Sequence, residues 1–551
     1  METNSAPRSV GQVFTKRWVV EMILDFVGYT PDKDLASKVI LEPSCGDGAF
    51  LTPIVERLVE SMKLFGRTPE SAVDAISAFE IQEHQAQKSR TIIQDKLVAA
   101  GFPTELARKT AYSWIAAGDF ILSKDRRMAD YVVGNPPYVR LEDIDDNLRN
   151  EYRSACRTMT GRADLYIGFI EHGLSLLNEQ GKLGYICADR WMRNQYGRKI
   201  RSQIASLFAL ETVVKLHDAD VFDEDVSAYP SVVVISRQRS SESNVVHTNQ
   251  HFTNDSATEL VNWIRDGKSG DAKTKSFKAS RVNSWFRTDD PWPDGNPETI
   301  EILQYLQNRF DKLESPRTTT RIGIGIATGA DAVFVTSNPN LVENDRLLQL
   351  SMVRDLQGDK FQWNGYFLVN PWQDDGQLVD LSKYPLLAAY LDSNRAVLER
   401  RNVASKYPHN WYRTIDKVRT EIINEPKLLI PDMKAYSAPV LELGGFYPHH
   451  NLYYVTSSVW DLSVLGGLLL SKIAESFIRS YGVEMRGGTL RFQAQNLRQI
   501  CVPNPDSISD EVASDLALAF RKRDKQLATH AASKAYELSK HQSKVFTDDT
   551  K

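Results

Sequence analysis

An α/β fold built on a largely parallel sheet is what the first part of this 551-residue sequence predicts, and three observations carry the prediction. Short β-branched runs alternate with amphipathic stretches over residues 1–240, the pattern of strands joined by covering helices. A glycine-containing turn, Glu42-Pro-Ser-Cys-Gly-Asp-Gly48, follows the first such run and leads directly into an apolar helix start. After Ser240 the composition shifts to Ser, Asn, Asp and Lys, and beyond Ser276 the pattern is less regular. A chain this long exceeds what one hydrophobic core supports. The sequence is therefore divided into a first domain at 1–240, a polar linker at 241–275 and a second, α+β domain at 276–551.

The elements follow in order. Thr15 is placed as the cap of a helix whose apolar face is Trp18, Met22, Ile23, Phe26 and Val27, at helical spacing. Strands are expected at Lys38 to Glu42, Ala75 to Ile81, Tyr131 to Val133, Leu183 to Cys187, Thr212 to Leu216 and Ser231 to Ser236. A helix is expected from Leu165 to Leu177, stopped by Asn178-Glu-Gln-Gly181. In the second domain short strands are expected near Arg321 to Ala327 and Leu428 to Ile430, with a helical tail from Asp510 to Ser543.

Composition removes several classes of function. The first ten residues lack a basic head followed by an apolar core, and the longest apolar runs, such as Leu462 to Leu470, fall well short of the ~20 residues that span a bilayer. A cytoplasmic protein is expected. The four cysteines (Cys45, Cys156, Cys187 and Cys501) are scattered, with no Cys-x-x-Cys pair, so neither a zinc ribbon nor a disulfide framework is indicated. The formal net charge of −4 leaves nucleic acid open as a partner, since basic residues can be gathered on one face.

Four segments carry chemistry. In the turn Glu42 to Gly48 the glycines let the backbone approach a ligand closely, but a third glycine at dinucleotide spacing is lacking, as is the Gly-Lys-Ser/Thr of a phosphate loop. Glu80 ends the next strand, where a carboxylate can accept both hydroxyls of a ribose. Gly118-Asp-Phe120 offers an acceptor for an exocyclic amine beside a ring that could stack on adenine. Asn135-Pro-Pro-Tyr138 closes a buried strand with a stiff corner. There the side-chain oxygen of Asn135 and the carbonyl of Pro136 could each accept one N–H of an amine on a planar ring, with Tyr138 against the ring face. Such a corner would draw the amine lone pair out of conjugation and aim it at an electrophile.

In this order the segments resemble the gamma (TaqI-like) class of S-adenosylmethionine-dependent DNA adenine-N6 methyltransferases of restriction-modification systems. The resemblance rests on Phe14-Thr15-Lys16, Glu42-Pro-Ser-Cys-Gly46, Phe79-Glu80, Gly118-Asp119-Phe120 and Asn135-Pro-Pro-Tyr138. It extends to Asp164-Leu-Tyr166, Gly181 to Ile186, Asp220-Val-Phe222 and Ser231 to Ile235, covering residues 11–240 closely and the remainder loosely. It implies a class I methyltransferase (Rossmann-like) fold, a mostly parallel sheet followed by a C-terminal α+β target recognition domain. It also implies that Thr15, Glu42, Pro43, Ser44, Cys45, Gly46, Glu80, Asp119 and Phe120 bind S-adenosylmethionine. Asn135, Pro136, Pro137 and Tyr138 would form the catalytic corner, with Tyr138 and either Phe222 or the nearby Tyr229 on the flipped adenine. Gln82 departs from the family, where many relatives place an acidic residue.

The partner expected is double-stranded DNA, bound by a monomer, with a cognate restriction endonuclease acting separately. Sequence reading would fall to the second domain. Its candidate features are Arg321 with Gly323, Gly325 and Gly329, Lys434-Ala-Tyr436, His449-His-Asn-Leu-Tyr-Tyr454, the tail residues Arg521 to Arg523, and Met485 to Phe492, where Arg486 is the leading candidate for DNA contact. No metal site is expected: neighbouring histidines in a strand would point to opposite faces. The chain contains no Pro-Cys pair, which by family resemblance argues against methylation at cytosine C5. Competing readings are an RNA adenine or protein glutamine methyltransferase using the same corner, and an inactive DNA-binding specificity subunit.

Overall fold

The structure is a computed structural model that describes residues 13–547, apart from 225–228, 239, 268–269, 284, 287–288, 357–359, 483 and 486–488; at 484–485 it describes the backbone alone. The chain divides after Pro293 into two compact units.

The first unit is organised by one ten-stranded sheet. Its strands are β1 (Ile40–Glu42), β2 (Ile76–Glu80), β3 (Ile115–Ala117), β4 (Ala129–Gly134), β5 (Leu177–Ala188), β6 (Ala209–Lys215), β7 (Pro230–Ser236), β8 (Glu242–Thr248), β9 (Ala272–Lys273) and β10 (Phe277–Asn283). They lie in the order β3-β2-β1-β4-β5-β7-β6-β8-β10-β9. The run from β3 to β5 is parallel throughout, and β7 enters antiparallel between β5 and β6. β1 has β2 on one side and β4 on the other, so the strand order reverses there. That reversal opens a crevice at the carboxyl ends of the strands, where open α/β sheets hold their ligands.

Among the described residues, the same unit carries the α-helices α1 (Arg17–Val27), α2 (Leu51–Phe65), α3 (Glu83–Ala99), α4 (Thr104–Trp114), α5 (Asp146–Ala155), α6 (Tyr166–Ser175), α7 (Arg198–Leu207) and α8 (Asn254–Arg265). Pleating divides them between the faces. Tyr131 and Val133 of β4 join one core with residues of α1, α2, α3, α4 and α8, while Val132 between them faces Gly173 of α6. α1 buries Val19, Val20, Ile23, Leu24 and Val27 and ends at Gly28, whose left-handed conformation lets its N–H bond back to Asp25 and Leu24. Emptying one such position, as in Ile23→Ala, would cost about 2–5 kcal/mol.

Several expectations are corrected here. Thr15 does not cap α1: Lys16 occupies that position without a side-chain cap, and the Thr15 hydroxyl is engaged elsewhere. Residues 178–181 do not stop a helix but lie inside β5, which begins at Leu177 with an irregular register against β4. Gly181 fits because a Cβ there would stand 2.9 Å from the Ala129 carbonyl. The polar stretch 241–275 is no linker, since β8, α8 and β9 continue the sheet domain. Its polarity reflects bonding to the neighbouring strand: the Ser243 hydroxyl donates to Leu210 O at 2.7 Å and the Asn244 amide to Glu211 O at 3.0 Å. Val245, Val246, Leu260 and Val261 meanwhile supply the buried side. β3 was not anticipated, being only three residues long with one buried.

The second unit contains a four-stranded antiparallel sheet, in the order Arg321–Ile324, Leu452–Thr456, Lys427–Pro431 and Val440–Glu442. A second four-stranded sheet includes Leu347–Ser351, Phe367–Val369 and Tyr447–Pro448. The helices Leu462–Leu470, Lys472–Tyr481, Asp510–Lys522 and Lys525–Ala535 share an apolar core. The long apolar run is thus a buried helix, and among the described residues no helix is long and apolar enough to cross a membrane. Lys427 and Glu442 form an ion pair with both side chains at most 1% exposed, and the lysine also donates to Ile423 O at 3.2 Å.

The surface features proposed for this unit are dispersed. Lys434 and Tyr436 share a small cavity with Arg523 and Lys525, and the Lys525 ammonium sits 3.1 Å from the centre of the Tyr436 ring. Arg486 lies outside the described residues. The histidine pair overturns the argument from strand alternation. His449 bridges to Ile326 just beyond the end of its strand and His450 already lies in the turn, so their rings come to 4.1 Å, centre to centre.

Candidate active site

Four neighbouring strands end in four polar side chains. β1 ends in Glu42, β2 in Glu80, β3 is followed by Asp119 and β4 by Asn135. Around them lies a cavity of about 310 Å³. Its wall includes Glu42, Pro43, Ser44, Cys45 and Gly46 from the first turn, Glu80, Asp119 and Phe120 from the next two, and Asn135, Pro136 and Pro137 from the corner. Thr15 completes it from the segment before α1.

The first turn is shaped by glycine. Gly46 and Gly48 take φ of 52° and 93°, in the left-handed region that side chains resist. The Gly46 N–H is thereby directed onto Glu80 Oε2 at 3.0 Å, while the Gln82 N–H donates to Oε1 at 2.9 Å. Glu80 is therefore fixed by two backbone donors. Glu42 is not: it is 1% exposed, and its Oε2 is buried without a hydrogen-bond partner. Burial pushes this carboxyl well above its usual range, and the charges of Glu80 and Asp47 add to the rise. Burial also raises the Cys45 thiol, which makes it no nucleophile at neutral pH.

Asp119 is held by the Leu122 N–H at 3.1 Å and the Tyr152 hydroxyl at 2.5 Å. Phe120 is 2% exposed, wedged among Phe79, Phe169 and His172, so it meets the cavity from the core.

The corner after β4 is tied down from two sides. The Ser44 hydroxyl donates to the Asn135 carbonyl at 3.1 Å. The Asn135 side-chain NH₂ donates to Val13 O at 3.1 Å and to Thr15 Oγ1 at 3.0 Å. A backbone carbonyl can only accept, so this pairing fixes which end of the amide is nitrogen. It leaves Asn135 Oδ1 buried and unpartnered. The segment 13–15 is anchored in turn, since Thr15 bridges to Phe222, Lys16 N–H donates to Val221 O at 3.0 Å and Asp223 N–H donates to Phe14 O at 3.1 Å.

Tyr138 and Phe222 are not among the wall residues; they meet edge to face beside the corner, ring centres 6.3 Å apart. Tyr166 approaches Tyr138 from another side at 6.4 Å. Tyr229 packs instead on His217, at 5.1 Å. The wall also includes residues not singled out from the sequence, namely Ile81, Ile144, Leu148, Tyr152, Leu165 and Phe169. Ile81 carried a signal: a β-branched residue directly after the strand-ending glutamate, here 62% exposed. Tyr152 carried none, since its value lies in reaching Asp119 from 33 residues away.

A parallel sheet with its order reversed at β1 and acidic groups at the ends of β1, β2 and β3 defines a class I methyltransferase, and S-adenosylmethionine is the cofactor of that class. Comparison with known proteins agrees. Residues 59–222 match the Eco57I restriction-modification methylase family. The chain is 38% identical over 559 residues to the type II methyltransferase M.BstVI of Geobacillus stearothermophilus, covering all of both chains. To M.PaeR7I of Pseudomonas aeruginosa it is 39% identical, over 98% of this chain and 94% of that one. In fold it is similar to the type IIL restriction-modification enzyme MmeI, solved in complex with DNA. That match has a TM-score of 0.56 and 12% identity, covering 95% of this chain and 72% of that one. The chain belongs to the type II DNA methyltransferases of restriction-modification systems.

Proposed function

We propose that this protein methylates N6 of an adenine rotated out of double-stranded DNA, at a specific sequence, protecting that DNA from a restriction endonuclease that acts separately. The observation that carries the proposal is the buried, unpartnered Oδ1 of Asn135, whose amide is already oriented by Val13 and Thr15.

An adenine stacked in a duplex cannot present its amine to an enclosed donor, so it must leave the stack at a cost of a few kcal/mol. Contact with Tyr138, and with Phe222 beside it, offsets part of that cost, since base–aromatic stacking is worth ~1–3 kcal/mol. One N–H of the amine would then donate to Asn135 Oδ1 and the other to the carbonyl of Pro136. Both bonds favour a pyramidal nitrogen whose lone pair points into the cavity. S-adenosylmethionine supplies there a methyl group on a positively charged sulfur. Glu80 would take its ribose hydroxyls, Asp119 its exocyclic amine, Ile81 and Phe120 its ring, and Thr15, Glu42, Ser44 and Cys45 its methionine side. The donor set fits: the Glu42 carboxyl oxygen that is buried and bare would face the cationic part of the cofactor. Fixing two reactants in line can contribute ~7–11 kcal/mol of barrier reduction.

The second unit would read the DNA sequence, and the reaction would proceed in the cytoplasm with one chain per site. Expression in cells lacking adenine methylation, followed by single-molecule sequencing, tests the proposal. N6-methyladenine at one defined motif is expected; methylation confined to cytosine, or none, would overturn it.

A further inference from the structure

We propose that Asp331, His449 and His450 form a site for one divalent transition-metal ion of the zinc type in the second unit. One nitrogen from each imidazole and one Asp331 oxygen lie within 4.8 Å of one another. Around tetrahedral zinc, ligands at ~2.0–2.1 Å stand about 3.4 Å apart, so modest side-chain rotations would close the set.

The cluster is built on two anchored segments. Asp331 opens a one-turn helix, and the histidines follow the strand Tyr447–Pro448. Ile326 N–H donates to Pro448 O at 2.8 Å and His450 N–H to Ile326 O at 3.0 Å, stapling one segment to the other. Gly325 permits the approach, because a Cβ there would stand 2.2 Å from the Pro448 carbonyl oxygen.

The nitrogens are available. His449 is 2% exposed and contacts Asp331 Oδ2 through Nε2 at 3.0 Å. The Nδ1 atoms of His449 and His450 are both buried without a hydrogen-bond partner. Buried polar atoms are seldom left so, and neutral imidazole lone pairs are what zinc, cobalt or nickel ions take. The Asp331 side chain is 46% exposed, which provides an entry path and room for coordinated water. A bound ion would pin the glycine-containing segment 323–329 to the histidine turn.

The full chain, stripped with chelator, is titrated with Zn²⁺ alone by calorimetry and with Co²⁺ by visible absorption. One ion per chain is expected, with d–d bands showing nitrogen coordination. His450→Gln and Asp331→Asn are each expected to weaken Zn²⁺ binding by tenfold or more, on the order of what metal sites lose when their supporting groups are removed. Both positions are partly exposed, so these variants carry the test even if His449→Ala fails to fold. S-adenosylmethionine binding to the first unit serves as the control for folding. Absence of Zn²⁺ binding, or unchanged affinity in both variants, would overturn the site.

Discussion

The two ends of the cavity are prepared in opposite ways. At the end formed by Glu80 and Asp119 every carboxylate oxygen already holds a donor, from Gly46, Gln82, Leu122 and Tyr152. At the end formed by Glu42 and Asn135 one oxygen of each side chain is buried and bare. Saturated groups hold a shape, whereas bare ones keep a cost that only a ligand removes. The cavity is thus rigid where an adenosyl group would be recognised and unsatisfied where a bond would be exchanged.

This contrast can be broken by experiment, and the largest effect is expected at the bare end. Asn135→Ala should lower kcat by about 10²–10³-fold, as removal of a preorganised transition-state contact does, while S-adenosylmethionine affinity changes little. Equal turnover would remove the assigned role. Tyr138→Ala should cost ~1–3 kcal/mol of base extrusion, read as weaker fluorescence from 2-aminopurine placed at the target. An unchanged signal would count against stacking. At the saturated end Tyr152→Phe deletes one hydrogen bond to Asp119, worth ~0.5–1.5 kcal/mol. The dissociation constant for S-adenosylmethionine should rise by up to about tenfold, with kcat nearly unchanged.

The smallest effect is one of pH on the protein without cofactor. The folded state raises the Glu42 carboxyl above its ordinary value of 4.5. Its contribution to stability is therefore fully present below that value and lost as pH rises through the folded-state value. Glu42→Gln has no proton to lose, so its melting temperature should gain on the wild type as pH rises above 4.5. Parallel curves would show that the carboxyl is not held neutral by the fold.

The polar groups at the strand ends were far more legible from sequence than the rest of the cavity wall. Glu42, Glu80 and Asn135 stand at the ends of strands marked locally by the β-branched runs that precede them, whereas Asp119 was carried by its Gly-Asp-Phe segment, since the strand before it is too short to leave such a mark. Tyr152 and Phe169 come from α5 and α6, and only tertiary packing brings them to the wall. Residues 241–275 misled for a related reason: Ser243 and Asn244 look like loop residues, yet their side chains bond to the neighbouring strand. Thr15 looked like a helix cap by its position, whereas its hydroxyl serves a residue 120 positions away. The histidine pair was misjudged because strand alternation was applied one residue past the point where the strand ends.

The anchoring of residues 13–15 bears on how the protein should be handled. Trypsin acting after Lys16 would leave the acidic wall groups in place and free the Asn135 amide to swivel. Such a preparation, which also lacks Thr15 from the cavity wall, should hold the methyl donor more weakly and turn over far more slowly still, a defect that a rate measurement reveals more fully than an affinity assay.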